Sequence, residues 1–343
     1  MTDLPLSRWR PRPRVVLPAH EVPRPLVPAV DAHNHVGRWL AADGGWLASL
    51  ADVLEVMDAA GVETLVNLDG RWGSELAENL ARYDAAHPGR FVTFCHVDWT
   101  LLDSGDALIT QLGESAAAGA RGLKVWKDLG LRVRDGSGRL VAPDDPRVVA
   151  VCRAAGELGL PVLIHTADPV AFFDPLDERN ERIEELGVHP DWWFGGPEHP
   201  SFHELMAALH RLVGACPGTT FVGAHVGCHA EDLTAVGEAL RRLPNWHVDT
   251  GGRLAEVGRQ PRAFRRLVEA FPERVLFGSD CFPPELGEYR RWWRFLETDD
   301  EHFSYVDEDA LPPQGRWRVS GCALPETLLR AVYRDNAQRV LGL

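Results

Sequence analysis

Two histidines stand two positions apart in residues 30–37, "VDAHNHVG", at the end of an apolar run. On a β-strand, positions i and i+2 point to one face, so His33 and His35 would project together from the strand end. Two neutral imidazoles side by side are the start of a metal site, which needs three or four ligands. The chain holds 14 histidines, so the same spacing also fits a pair of hydrogen-bonded core residues. The remaining ligands must come from elsewhere.

Groups of the right type recur at matching places. Lys124 lies in "GLKVWK", His165 in "LIHT", His225 in "FVGAHVG" and Asp280 in "VLFGSD". Each sits in or at the end of a short β-rich run, and each is a residue that binds metals or moves protons. The helical zinc signature HExxH is not the source of the site: "HELMAALH" has Ala207 where its second histidine belongs.

The elements that must carry these residues alternate along the chain. Strand-like runs are expected at 28–33, 63–68, 91–97, 121–126, 161–165, 219–225, 245–250 and 274–279. Between them lie stretches with apolar residues at helical spacing and a Gly or Pro stop, such as "LADVLEVMDAAG", "DDPRVVAVCRAAGELG" and "SFHELMAALHRLVGACPG". Eight such alternations predict a parallel α/β fold, and eight is the number that closes a (β/α)8 TIM barrel. A doubly wound open sheet is the alternative; its nucleotide-binding forms lack support, because neither GxGxxG nor GxxxxGK[ST] is present. On a barrel, functional groups stand at the C-terminal strand ends. Two connections are long, residues 166–200 after the fifth strand and 281–322 after the eighth, and are expected to shape the substrate pocket.

Composition narrows the class. A formal charge of −14 argues against nucleic acid as a partner. The six cysteines are scattered without CxxC spacing, which fits reduced thiols. No run approaches the length of a membrane span and the N-terminus has no apolar signal core, so a cytoplasmic protein with a small-molecule substrate is expected. Residues 1–25, rich in Pro and Arg, read as an irregular arm lying on the surface or reaching a partner subunit, as in a homodimer; residues 26–343 read as one barrel domain.

Taken in order, "DAHNH", "GLKVWK", "LIHT", "FVGAHVG" and "VLFGSD" resemble the amidohydrolase superfamily, in particular the amidohydrolase-related branch that includes aminocarboxymuconate semialdehyde decarboxylase. The likeness runs from about residue 28 to the closing "RDNAQRVLGL". It implies one divalent metal in the barrel mouth, Zn²⁺ first and Mn²⁺ second, with His33, His35, His165 and Asp280 as ligands. It also implies catalytic roles for Asp280, as proton carrier, and for His225, near the bound water. Lys124 matches the place of a carboxylated lysine in two-metal members, or remains an ammonium that orients a substrate carboxylate or pairs with Asp280.

Further pocket candidates come from the residues themselves. Arg253, in "DTGGRLAEVGR", offers a guanidinium for a substrate carboxylate. Trp39 and Trp126 follow the first and fourth strands, and Trp192, Trp193 and Phe194 stand in the first long loop, either walling a pocket or packing that loop. His96 and His229 read as structural. The expected function is hydrolysis of an amide, ester or lactone by metal-activated water. The alternatives are non-oxidative decarboxylation of a small carboxylic acid and a barrel that has lost activity.

Overall fold

The computed structural model describes residues 3–5, 8–9, 11–307 and 310–343. Its eight strands are β1 (Ala29–Asn34), β2 (Val62–Asn67), β3 (Phe91–Thr93), β4 (Leu123–Val125), β5 (Val162–Ile164), β6 (Phe221–Gly223), β7 (Trp246–Asp249) and β8 (Val275–Leu276). All pairings are parallel and follow chain order, β1 to β3 in one ladder and β4 to β8 in another. Backbone bonds stitch both seams. Lys124 N–H donates to the Cys95 carbonyl at 2.7 Å between β3 and β4, and Ala32 N–H donates to the Phe277 carbonyl at 2.9 Å between β8 and β1. The architecture is the expected (β/α)8 barrel.

All eight expected strands are present, several shortened at the C-terminal end. The backbone leaves the pleat there to aim side chains into the mouth, as at Asp280 (φ 52°) and His225 (φ 59°). The helices form where the apolar spacing placed them. Leu50–Ala60 buries Val53, Met57 and Ala60; the Ser49 hydroxyl accepts from Asp52 N–H at its start, and Gly61 (φ 81°) takes the left-handed cap at its end. Pro146–Glu157 starts on Asp145 with proline in its first turn, and Phe202–Ala215 starts on a Ser201/Glu204 capping box.

One expectation needs correction. The connection 281–322 is not loop throughout: Leu286–Glu297 is a helix that buries Tyr289, Trp292, Trp293, Phe295 and Leu296. Residues 11–28 form no helix or strand. They run past this helix, where Leu26 N–H donates to Glu297 at 2.9 Å and His20 N–H to Asp300 at 2.8 Å. Among the described residues no helix is long and apolar enough to cross a membrane.

Asp31 holds the first and last strands in register. It is wholly buried and accepts from the Ser279 hydroxyl (2.6 Å), the Ser279 N–H (2.9 Å), the Tyr289 hydroxyl (2.7 Å) and the Asn34 amide (3.0 Å). Burial raises its carboxyl pKa, and these donors hold the shift in check. Gly278 allows the close approach that follows, since a Cβ there would lie 2.7 Å from the Cβ of His33. Asp31→Ala is expected to cost about 3 kcal/mol or more, because it strips several buried donors of their acceptor. A urea midpoint giving a loss below about 1 kcal/mol would show that the network has relaxed elsewhere.

Candidate metal centre

His33 and His35 do leave β1 on one face, with 0% and 1% of their surface exposed. Each ring is fixed from behind by a carboxylate. His33 Nδ1 lies 2.9 Å from Asp249 Oδ2, and His35 Nδ1 lies 2.6 Å from Asp69 Oδ1. With the proton on Nδ1, each Nε2 presents its lone pair to the mouth. Both face Asp280 Oδ1, at 3.6 Å from His33 and 3.5 Å from His35.

Three such acceptors cannot bond one another, and the structure gives His33 Nε2 and Asp280 Oδ1 no other partner although both atoms are buried. Ligand atoms of His33, His35 and Asp280 all lie within 4.8 Å of one another. Two neutral imidazoles and a carboxylate, with lone pairs converging and no donor among them, fit a divalent cation. Burial pushes the His33 pKa well down, against the field of Asp280, which keeps the ring in its neutral form.

His165 and His225 form a second pair beside the trio. His225 Nδ1 lies 2.7 Å from the Gly251 carbonyl and so carries the proton; its Nε2 accepts from His165 Nδ1 at 3.2 Å. That leaves His165 Nε2 as a buried lone pair without a hydrogen-bond partner. His165 lies outside the convergent trio, with Nε2 3.5 Å from Asp168 Oδ1. Burial lowers both imidazole pKa values, that of His165 to about 3 and that of His225 well below its ordinary value. Both rings are therefore neutral at neutral pH.

The left-handed backbone at His225 and Asp280 costs about 1 kcal/mol or more at each. It is held by bonds to the site itself: His225 N–H donates to Asp249 Oδ1 at 3.0 Å, and Asp280 N–H donates to the His33 carbonyl at 2.8 Å.

The other candidates divide. Lys124 is buried, its Nζ has no hydrogen-bond partner, and burial lowers its pKa to about 8. Arg253 is 9% exposed and donates to the Gly252 carbonyl at 3.1 Å. Trp126 stands edge-on to His35 (centroids 5.7 Å apart) and to Trp39 (4.7 Å), so both tryptophans wall the mouth. Phe282 adds a second wall, 5.2 Å from the His35 ring. Trp192 instead packs its own loop, stacked on His189 at 4.0 Å. His96 Nε2 donates to the Leu68 carbonyl at 2.6 Å, a structural role as expected.

Sequence reading missed Asp69, Asp249 and Asp168. All follow or end strands on the mouth face, in "NLDG", "HVDTGG" and "HTADP". The rule that found the histidines would also have found these carboxylates. Asp168 bonds Lys127 at 2.6 Å; burial raises its carboxyl pKa, but Lys127 and His165 outweigh this and hold it below the usual range. A cavity of about 210 Å³ opens against Asp280, between Gly252, Cys281, Tyr305 and Gln314. A larger one of about 840 Å³ lies away from the site, against Leu17, Pro18 and the start of the 261–270 helix. The chemistry-bearing groups select the smaller.

A (β/α)8 barrel with paired imidazoles on strand one and a carboxylate after strand eight gathers at its C-terminal mouth a donor set of the kind that suits a divalent cation. A family model described as Amidohydrolase matches residues 30–343, and the chain belongs to that family. No curated protein matches the chain.

Solved structures agree on the fold. A 2,6-dihydroxybenzoate decarboxylase complexed with 2,6-dihydroxybenzoate is 17% identical, with TM-score 0.59 over 93% of this chain and 100% of that one. A dihydroxybenzoic acid decarboxylase from a Polaromonas species, with bound manganese and the inhibitor 2-nitroresorcinol, is 14% identical, with TM-score 0.57 over 93% and 98%. An amidohydrolase from Burkholderia multivorans with bound zinc is 15% identical, with TM-score 0.54 over 92% and 99%.

Proposed function

We propose that this protein is a metal-dependent, non-oxidative decarboxylase of a small aromatic carboxylic acid. Hydrolysis, the first expectation from the sequence, becomes the second reading. The observation that carries the choice is the aromatic mouth: Trp126 and Phe282 both stand against His35, whose Nε2 faces Asp280. Two flat walls beside the trio suit a planar ring. Two of the fold relatives described above are decarboxylases of hydroxylated benzoates, which supports the same choice.

His33, His35 and Asp280 would hold the cation, with His165 Nε2 as the nearby fourth donor. Zn²⁺ and Mn²⁺ both suit this donor set. Such an ion supplies a fixed positive charge that orients an anionic substrate oxygen.

The chain's own groups do the rest. Asp280 has two faces: Oδ1 meets the histidine lone pairs, and Oδ2 turns to the side of His225, 3.9 Å from its Nδ1. Asp280 takes a proton from solvent between turnovers and delivers it to the carbon that bears the carboxylate. The carbon–carboxylate bond then breaks as CO₂ leaves, and its electron pair stays on the ring. One proton is consumed for each CO₂ released. His225 is neutral and gives its one ring proton to the Gly251 carbonyl, so it positions rather than protonates.

The test uses metal-reconstituted protein and a panel of hydroxy- and aminobenzoates in D₂O. CO₂ release with deuterium at the vacated carbon is the expected result. Turnover of lactones, esters or amides with ¹⁸O from labelled water in the product acid, and no CO₂ from any carboxylate, would overturn it.

A further inference from the structure

Trp39, one wall of the mouth, has little regular backbone to place it, because residues 35–49 form no helix or strand. Its ring is placed by side chains. Trp126 and His96 both meet it edge-on, with centroids 4.7 and 5.2 Å away. His96 is itself fixed, through its bond to the Leu68 carbonyl. Trp126 goes on to stand against His35 and His165, at 5.7 and 5.5 Å. The third neighbour is Arg71, whose guanidinium carbon lies 5.1 Å from the centre of the Trp39 ring.

The chain bends sharply to bring Arg71 there. After β2, Gly70 passes so close to the exit of β3 that a Cβ would lie 2.3 Å from the Phe94 carbonyl oxygen. Arg71 then takes a left-handed backbone, φ 57°, which strains any residue with a Cβ. The conformation is held at its carbonyl, which accepts from His96 N–H at 2.9 Å. Trp72 follows and offers its own ring, 4.2 Å from the same guanidinium. The arginine is thus shared between Trp72 and Trp39.

Other arginines on tryptophans also have a carboxylate. Arg38 over Trp46 pairs with Glu78 at 2.7 Å, and Arg259 over Trp317 pairs with Glu181 at 2.9 Å. Among the described residues no ion pair or hydrogen bond holds the Arg71 guanidinium, so its contacts with the two rings are what fix it. Strained backbone is kept where the surroundings enforce it and function uses it.

We infer that Arg71 is a positioning residue: it clamps Trp39 onto Trp126 and so sets the gap at the mouth that selects a flat ring. The inference rests on the aromatic-acid reading for what the gap receives. It gives Arg71 no contact with the reacting atoms.

The test compares wild type with Arg71→Met, which keeps a long stem and the same backbone strain but removes the charge and the flat face. Both are labelled with 5-fluorotryptophan, and the Trp39 fluorine signal is assigned with Trp39→Phe. In Arg71→Met that signal is expected to shift and broaden, as for a ring released from one position. Benzoate and acetate are then titrated calorimetrically into metal-reconstituted protein. Each carries one carboxylate, so the ratio of their affinities reports the ring. Wild type is expected to prefer benzoate about tenfold or more, and Arg71→Met to lose about fivefold of that preference with acetate affinity unchanged.

An unchanged Trp39 signal in folded Arg71→Met overturns the inference, as does a benzoate preference that survives the substitution. Parallel loss of benzoate and acetate also overturns it, because Arg71 would then act on the anion by its charge and not on the ring through Trp39. If the Trp39 signal moves as expected but wild type shows no preference for benzoate, the clamp stands and the aromatic-acid reading alone fails.

Discussion

Asp280→Asn is expected to lower turnover by about a thousandfold or more while much of the bound cation is retained. The two oxygens of Asp280 face different groups, and the proposed duties divide between them. Oδ1 faces the Nε2 atoms of His33 and His35 at 3.6 and 3.5 Å, and Oδ2 lies on the side of His225. An asparagine can turn its carbonyl oxygen to the histidines and still coordinate, but its amide neither takes up nor delivers a proton at neutral pH. The substitution adds no backbone strain, because asparagine is among the few residues that tolerate the left-handed φ of 52° found here. Metal content and turnover measured on one preparation separate the two duties. Activity within tenfold of wild type at full occupancy would remove Asp280 as the proton carrier.

Much of this site is legible in the sequence, for a reason particular to barrels. A parallel strand that ends in a polar residue delivers that residue to the C-terminal mouth, so a list of strand ends is nearly a list of site residues. His33, His35, His225 and Asp280 came from that list, and the structure brings them together. Lys124 came with them, although the sequence could not tell whether its nitrogen would be modified, paired or bare.

The misses have physical causes. Asp69 and Asp249 were invisible as partners because the pairing is tertiary: His35 and Asp69 are 34 positions apart, and His33 and Asp249 are 216 apart. No local pattern links them. The helix Leu286–Glu297 was passed over because it lies inside a connection where the β/α alternation had already been completed. Its apolar residues at 286, 289, 293 and 296 did carry helical spacing. The position of His165 outside the trio depends on a ring orientation set by His225, which spacing along the chain does not encode.

The choice between hydrolysis and decarboxylation was less legible still. It turns on which walls surround the trio, and Phe282 reaches His35 from a segment that sequence alone marked only as a long connection. His33 and His35 would serve as ligands in both chemistries, so the pair discriminates little between them.

His33→Ala is expected to abolish stoichiometric metal binding and with it all turnover, and the carboxylate behind His33 decides how far that result can be trusted. Removing the imidazole deletes a ligand atom outright, but it also leaves Asp249 buried without its donor. Burial already raises the Asp249 pKa to about 6, and the N–H groups of Gly251 and His225 counter the shift. Loss of metal by His33→Ala alone would therefore not separate a missing ligand from a disturbed mouth. Asp249→Asn supplies the control. It keeps the volume and an acceptor for Gly251 and His225, yet puts a neutral amide nitrogen in place of the carboxylate oxygen that fixes the His33 tautomer, so metal affinity is expected to fall about 10- to 100-fold without being lost. The ordering to measure, by metal competition with a chromophoric chelator on protein shown to be folded by circular dichroism, is wild type, then Asp249→Asn, then His33→Ala. The core does not depend on an ion in the mouth, so all three should fold with or without metal. Wild-type affinity in folded His33→Ala would mean that the cation sits elsewhere, and wild-type affinity in Asp249→Asn would mean that the ring is held by packing against its neighbours rather than by this carboxylate.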